Sequence, residues 1–375
     1  MKMFTAEEAC ARLAIRPQTL YAYVSRGLLE GVRHGADSRR SLYREAEVDA
    51  LAERKKAGRS RPVVAAKAIH WGDPVLETRI STVVRGRLIY RGRDAVSWSE
   101  AASLEETAAL LCGVPSWPDS SPGLSTEQPG IAAAFRFLAR AAGEAPPMFG
   151  RARQSIVAEG AGLLPGLAAS LLGPEADHPL HDAVARAWRL KPKGADLIRQ
   201  AMVLLADHEL NASTFAVRVV GSTGASLPAA LLAGLSALTG PRHGGMTMRT
   251  VAMFAEALAS PDPSAYFTAR LARGEPIWGL HHELYPDGDV RARALRAAHE
   301  PSGALRRTIE AAEAAGGMRL NIDGALAALA HTLGLSQEQA FSVFVLGRAA
   351  GWIAHAVEQT ETGALIRPRA RYVAP

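Results

Sequence analysis

The chain has 375 residues, 48% hydrophobic and 21% charged, with a net charge of +6. This is ordinary globular composition, too apolar for a disordered chain and long enough for two or three domains with large buried cores. The only cysteines, Cys10 and Cys112, lie far apart, which leaves no disulfide framework or cysteine metal cluster and suits a reducing cytoplasm.

Ala, Leu and Gly are abundant, aromatics are 6%, and long β-branched runs are few, so a mainly α protein is expected. Glu7 and Glu8 stand where a signal peptide would carry apolar residues, and no uninterrupted apolar run approaches the ~20 residues of a membrane span. The charge is uneven. Residues 1–60 carry 12 Lys and Arg against 8 Asp and Glu, which points to an acidic partner such as nucleic acid for that segment.

Thr5-Ala6-Glu7-Glu8 fits a capping box that opens a short apolar helix through Ala9 and Leu13. Arg16-Pro17-Gln18-Thr19 turns into a second helix carrying Leu20, Tyr21, Tyr23 and Val24, and Gly27 follows. The run from Leu28 to Tyr43 has the form of a β-hairpin, and a third helix spans about 44–56. This segment, residues 1–57, resembles the winged helix-turn-helix of the MerR and excisionase group. The resemblance implies that Gln18, Thr19, Tyr21, Tyr23 and Arg26 face DNA bases while Arg33, Arg39 and Arg40 hold phosphate. A small protein-interaction module without DNA contact is the competing reading. Residues 58–74, with Gly58, Arg59, Arg61, Pro62 and Pro74, are expected to be a linker.

From Val75 the pattern changes. Residues 75–81 and 86–92 alternate like two strands around a turn, Ser103 to Glu106 open a helix that runs through Leu111, and segments near 131–142, 151–172, 181–190 and 196–206 have helical patterning. Ser336-Gln337-Glu338-Gln339 is a second capping box, opening a helix to about Gln359.

Within this region Asp207-His208-Glu209-Leu210-Asn211-Ala212-Ser213-Thr214 sets six polar side chains beside an apolar run. Polar groups in an apolar surround need partners, so the cluster is either a hydrogen-bonded core network or a binding site. Four later stretches bear on that choice: Gly240-Pro241-Arg242-His243-Gly244-Gly245; the polar loop from Gly279 through His281, His282 and Asp289 to Arg291; Asn321-Ile322-Asp323-Gly324; and Arg348 through Trp352 to His355, then Ile366-Arg367-Pro368-Arg369. Singly, each has a plain structural reading. Asp323 would cap the helix after it, Arg348 would be a helix-surface or a salt-bridge residue, and a lone histidine would be a satisfied core residue. Three histidines with Asp323 could also suggest a metal, but the His-x-x-x-His or cysteine spacing of a metal site is missing.

Together, and in this order, the five motifs over residues 75–375 resemble citrate synthase. The resemblance implies a mainly α fold with a large helical domain and a small domain, about 240–335, that closes over it. It implies His243, His282 and Asp323 as catalytic residues: His243 on the thioester carbonyl, Asp323 as base for the acyl-CoA α-proton, and His282 polarising the oxaloacetate carbonyl. It further implies that His208, Arg291 and Arg348 hold oxaloacetate, and that Arg367 reaches the partner's site in a homodimer. Asp207, Asn211 and Ser213 would form the shell that orients His208. Acetyl-CoA enters as a substrate, and neither a metal nor a redox cofactor is implied.

Three stretches, five positions in all, depart from the family pattern: His281 stands for a glycine, Met246-Thr247-Met248 for Ala-Asn-Glu, and Val290 for proline. Two further readings stay open. One is 2-methylcitrate synthase, using propionyl-CoA. The other is a DNA-binding metabolite sensor built on the same fold.

Overall fold

In the computed structural model the described residues are 3–25, 29, 31–34, 37–58, 76–299, 301–368, 370 and 372. The chain divides into two compact units, one of residues 1–77 and 369–375, the other Thr78–Pro368.

The first unit contains β1 (Met3–Phe4), α1 (Ala6–Leu13), α2 (Pro17–Ser25), β2 (Gly31–His34), β3 (Asp37–Arg44) and α3 (Glu45–Gly58). The capping box forms as expected. Thr5 Oγ1 accepts from Glu8 N, and Glu8 Oε2 accepts from Thr5 N at 2.7 Å. Pro17 opens α2, where its missing N–H has no partner to lose. Strands β2 and β3 pair antiparallel, Val32 opposite Leu42, and β1 adds to the far side of β3. Ala9, Leu13, Leu20, Tyr43 and Val48 form a small core of their own. The expected linker, from residue 59 on, lies outside the described residues, as does Arg26.

The second unit opens with an antiparallel sheet, β4 (Ser81–Val84), β5 (Arg87–Tyr90) and β6 (Arg93–Asp94). There follow α4 (Ala95–Ser99), α5 (Leu104–Cys112), β7 (Gly123–Leu124), α6 (Ile131–Glu144), α7 (Arg153–Leu172), β8 (Glu175–Ala176), α8 (Leu180–Ala187), α9 (Pro192–Leu205), α10 (Ala212–Ser222), α11 (Leu227–Leu238), α12 (Gly245–Ala259), α13 (Pro263–Ala272), α14 (Val290–Ala298), α15 (Gly303–Gly316), α16 (Ile322–Leu333) and α17 (Gln337–Thr362). Helix α9 starts four residues before the expected boundary, because Pro192 at its first turn begins a helix rather than breaking one.

Helix α17 is the axis of the unit, buried from Ala340 to Gln359 and packed against α5, α7, α9, α10, α11 and α12. It and α7 are long and apolar enough to cross a membrane, but both are core helices, with 100% and 72% of the apolar window buried. A second apolar cluster, around Val251, Phe254, Phe267, Leu305, Ile309 and Leu320, joins α12, α13, α15 and α16.

Two glycines let α17 lie directly on the backbone at the end of α9. A Cβ at Gly347 would stand 2.6 Å from Met202 O, and one at Gly351 would stand 2.2 Å from Ala206 O and 2.6 Å from Asp207 Oδ1. Gly351 N also donates to Ala206 O at 3.1 Å. In Gly351→Ala the gain in helix propensity, about 1 kcal/mol, is outweighed by a clash with backbone that cannot turn aside, for a net loss of roughly 1–3 kcal/mol. A lowered urea midpoint checks this, and a variant as stable as the parent would contradict it.

Candidate active site

Residues 206–211 leave α9 and enter α10 through a turn in which Glu209 takes a left-handed φ of 51°. Three anchors hold that conformation. Glu209 Oε1 accepts from Val83 N at 2.5 Å and from Thr82 Oγ1 at 3.0 Å, and Glu209 N donates to Ser81 Oγ at 2.9 Å. Asn211 caps α10, accepting from Thr214 N at 3.2 Å. Asp207 is fully buried, accepts from Ser81 Oγ, and stands 3.3 Å from His355 Nε2. Burial alone would raise its pKa, but His355, Arg348 and the Ser81 hydroxyl outweigh that and hold it below the usual carboxylate value.

His208 itself is oriented from elsewhere. Its Nε2 lies 2.9 Å from the Tyr285 hydroxyl, and its ring meets the His282 ring edge-on at 4.9 Å. The expected shell is corrected on this point. Asp207 and Ser213 bond other groups, and Asn211 reaches only the His208 carbonyl, at 3.3 Å. Burial, followed by the charge of Arg291, drives the His208 pKa well below its ordinary value, so the ring is neutral.

Ser213 serves His243 instead. His243 Nε2 lies 2.8 Å from Ser213 Oγ, which also receives the Trp352 indole N–H at 3.2 Å and stands 2.8 Å from Asn211 Oδ1. Burial and then Arg348 lower the His243 pKa to about 3. His282 Nδ1 accepts from Leu284 N at 3.2 Å, and burial followed by Arg291 lowers its pKa to about 4. A neutral imidazole whose Nδ1 accepts a bond carries its proton on Nε2, so His282 is set up as a donor through that atom.

Asp323 lies in the first turn of α16, but Asn321 is the cap, accepting from Asp323 N at 3.0 Å and Gly324 N at 3.2 Å. The capping role expected for Asp323 therefore falls to its neighbour. Among the described residues the Asp323 side chain is left with one bond, from Thr247 Oγ1 at 2.5 Å, and burial raises its pKa to about 6 against the lowering effect of Thr247, Arg291 and Arg348. Thr247, one of the departures, thus contacts the carboxylate directly.

Two arginines of the site are almost completely buried. Arg291 is held bidentate by Asp289 at 2.8 and 3.0 Å. Arg348 makes no ion pair among the described residues. Its Nε donates to Leu205 O at 2.8 Å and its guanidinium lies over the Phe344 ring, so it is neither the helix-surface nor the salt-bridge residue of the plain structural reading. Burial lowers its pKa to about 10, which still leaves it charged at neutral pH. Phe344, Arg348, Trp352 and His355 follow the spacing of a single helix face. The candidate catalytic and substrate-binding residues belong to the second unit, and contacts and charges tie His208, His243, His282, Arg291, Asp323 and Arg348 together. Arg367 is apart, exposed on the segment after α17.

His281 adopts a left-handed φ of 56°, and its N donates to Arg319 O at 2.9 Å. That backbone conformation suits glycine and is uncommon for a β-carbon-bearing residue. In the first unit Gln18 and Tyr21 on α2 are exposed, Tyr21 by 61%, and Thr19 is half-buried. Arg33, Arg39 and Arg40 stand on β2 and β3, with side chains outside the described residues.

Thr247 and Asp289 stand in the motifs without an assigned role, and Tyr285 is given none either. Asp289 alone left a signal, as an acidic residue one position before a helix start.

Residues 137–369 match the family described as citrate synthase, C-terminal domain, and residues 3–56 match a helix-turn-helix domain. The chain is 35% identical over 196 residues to putative citrate synthase 2 of Mycobacterium tuberculosis strain H37Rv, covering 49% of this chain and 52% of the relative. It is 34% identical over 183 residues to a 2-methylcitrate synthase of Mycobacterium tuberculosis strain Erdman, covering 46% of this chain and 47% of the relative. The chain thus spans about half the length of the curated relatives it matches. The fold is also that of a citrate synthase from Thermoplasma acidophilum solved in ternary complex with carboxymethyl coenzyme A and oxaloacetate, with a TM-score of 0.67 and 21% identity over 83% of this chain and 96% of that one. With five motifs gathered on one core and the family match running over most of the second unit, the chain belongs to the citrate synthase family.

Proposed function

We propose that the chain condenses an acyl-CoA with oxaloacetate and that water then cleaves the thioester, releasing free coenzyme A, with acetyl-CoA giving citrate. The observation that carries this reading is a buried carboxylate, Asp323, with its pKa raised to about 6, set among neutral imidazoles and two buried guanidiniums. A thioester α-proton is a weak acid, so its removal needs a base acting beside a donor to the developing enolate oxygen. Asp323 is that base. His243, its ring positioned by Ser213 Oγ, is assigned the role of that donor. His282 polarises the oxaloacetate carbonyl through Nε2–H. Arg348 and the free edge of Arg291 take the carboxylates, with His208 holding the same substrate. The binding charges are guanidinium groups because a planar fork matches a carboxylate where an ammonium would not.

The test is thiol release by the purified chain with oxaloacetate and either acetyl-CoA or propionyl-CoA. The two acyl groups differ by one methylene, worth about 1–3 kcal/mol, so the arms are compared by kcat/KM. Release with neither would overturn the reading. Release faster with propionyl-CoA would make the product 2-methylcitrate. In the family's dimer arrangement, Arg367 serves the partner's site. Arg367→Ala is then expected to raise KM for oxaloacetate, whereas an unchanged KM would remove that role.

The exposed Gln18 and Tyr21 on α2, beside a paired hairpin, favour a second reading for the first unit, DNA contact. A mobility shift with promoter fragments, weakening with salt and lost on truncating residues 1–57, would support it. Equal affinity in the truncated chain would refute it.

A further inference from the structure

We propose that Asp289 is a positioning residue: its single carboxylate holds the Arg291 guanidinium and the start of the Asp323 helix in fixed relation to each other. The proposal rests on the synthase reading for what that relation does.

Asp289 is 3% exposed and caps α14. Its Oδ1 accepts from Arg291 N and Arg291 Nε, both at 3.0 Å. Its Oδ2 accepts from Arg291 Nη2 at 2.8 Å and from Ile322 N, the first residue of α16, at 3.0 Å. An ionised carboxylate has about four acceptor sites, and here all four are occupied by two elements. The cap needs only the first of these bonds. Of the other three, two fix the Arg291 guanidinium on the same helix, and one, from Ile322 N, leaves it for the origin of the helix that carries Asp323.

The consequence for Arg291 is directional. Two of its five N–H groups point to Asp289, so the remaining three present one edge to a ligand. The consequence for Asp323 is both positional and electrostatic. The charged and polar groups that face Asp323 are the Thr247 hydroxyl from α12, Asp289 and Arg291 from the start of α14, and Arg348 from α17. Asp289 opposes its ionisation, and Arg291 and Arg348 favour it. By half-neutralising Arg291, Asp289 keeps the base from being stabilised into a weak one. Asn321 does the matching work for His282. Its Nδ2 donates to Leu280 O at 3.1 Å and His281 O at 2.9 Å, and its N donates to Gly279 O at 2.9 Å.

The test compares Asp289→Asn and Asp289→Glu in the full chain. Asparagine keeps the size and removes the charge. Its acid limb of kcat/KM is expected to move to lower pH by roughly one unit, with kcat down roughly tenfold to a hundredfold from the loosened geometry. Glutamate keeps the charge and shifts the carboxylate by one methylene. Its kcat is expected to fall while the acid limb stays at the wild-type position. The Asp323 titration is read without turnover as well, by carboxyl carbon-13 NMR assigned with Asp323→Asn. A chain that releases no thiol would thus sink the synthase reading and leave this measurement to decide the present one. An Asp323 titration in Asp289→Asn identical to wild type overturns the proposal. So does an unchanged kcat in Asp289→Glu, and so does a chain that folds with neither residue, because the carboxylate would then be needed for folding alone.

Discussion

Asp323→Asn is expected to lower kcat for thiol release by roughly 10²–10⁴-fold and yet to melt at or above the wild-type Tm at pH 7. The first half follows from removing the only basic form of the side chain while keeping its shape and its bond from Thr247 Oγ1. The second half follows from burial. The native carboxyl holds its proton up to pH about 6, whereas an unfolded aspartate ionises near 3.9. Between those values the native state binds more protons than the unfolded one, so this group's contribution to stability declines as pH rises through the window. Asparagine escapes that decline. The Tm advantage of the variant should therefore be present at pH 7 and vanish at or below about pH 4. The wild-type kcat/KM should have an acid limb near pH 6, absent from the residual rate of the variant. Calorimetry at the two pH values, run beside the thiol assay, checks both halves. A variant with wild-type turnover would remove Asp323 as the base. One that is inactive but melts far below wild type would show a structural role instead.

The residues of the candidate site stand out in the sequence, while the bonds that wire them together do not. His208, His243, His282 and Asp323 stand in short motifs, because each needs particular neighbours on its own turn or helix start. Glycines around His243 permit a tight turn, and Asn321 before Asp323 caps a helix. Such local requirements leave a trace in consecutive residues. The bonds that orient the rings do not. Tyr285 meets His208 across 77 positions, Ser213 meets His243 across 30, and Thr247 meets Asp323 across 76. A serine two residues from an asparagine carries no mark of which ring it will touch. Reading Ser213 as a partner of His208 followed proximity in the chain, and the fold replaced it with proximity in space. Helix positions were legible for the same local reason. Both capping boxes form, whereas α9 starts at Pro192, four residues before the expected 196, with the proline in its first turn. The glycines that seat α17 on α9 are a further case. Gly347 and Gly351 show small-residue spacing in the sequence, but which carbonyls they approach depends on packing.

Arg348→Met is expected to raise KM for oxaloacetate by about 10²–10³-fold, the equivalent of roughly 3–4 kcal/mol of lost charge pairing, without a fall in Tm. The two buried guanidiniums are not equivalent. Arg291 already has a carboxylate, Asp289, within 2.8 Å, and spends two donors on it. Arg348 has Leu205 O at 2.8 Å and an aromatic face, with no ion pair among the described residues. A buried cation in that condition is a standing cost of several kcal/mol, which on the proposed reading an anionic ligand offsets on binding. Methionine removes the cost and fills a similar volume with a flexible apolar chain. The bond to Leu205 O is forfeited, at about 1–2 kcal/mol, which is the smaller term. Stability and affinity should therefore move in opposite directions, a pattern that general damage to the core cannot produce. KM for acyl-CoA serves as the internal control, because Arg348 is assigned to the oxaloacetate carboxylates, and it should change far less. If Arg348→Met binds oxaloacetate as wild type does, the anion is held elsewhere. If instead Tm collapses and both KM values rise together, the guanidinium is part of the scaffold around Leu205 and the site's positive charge must come from Arg291 alone.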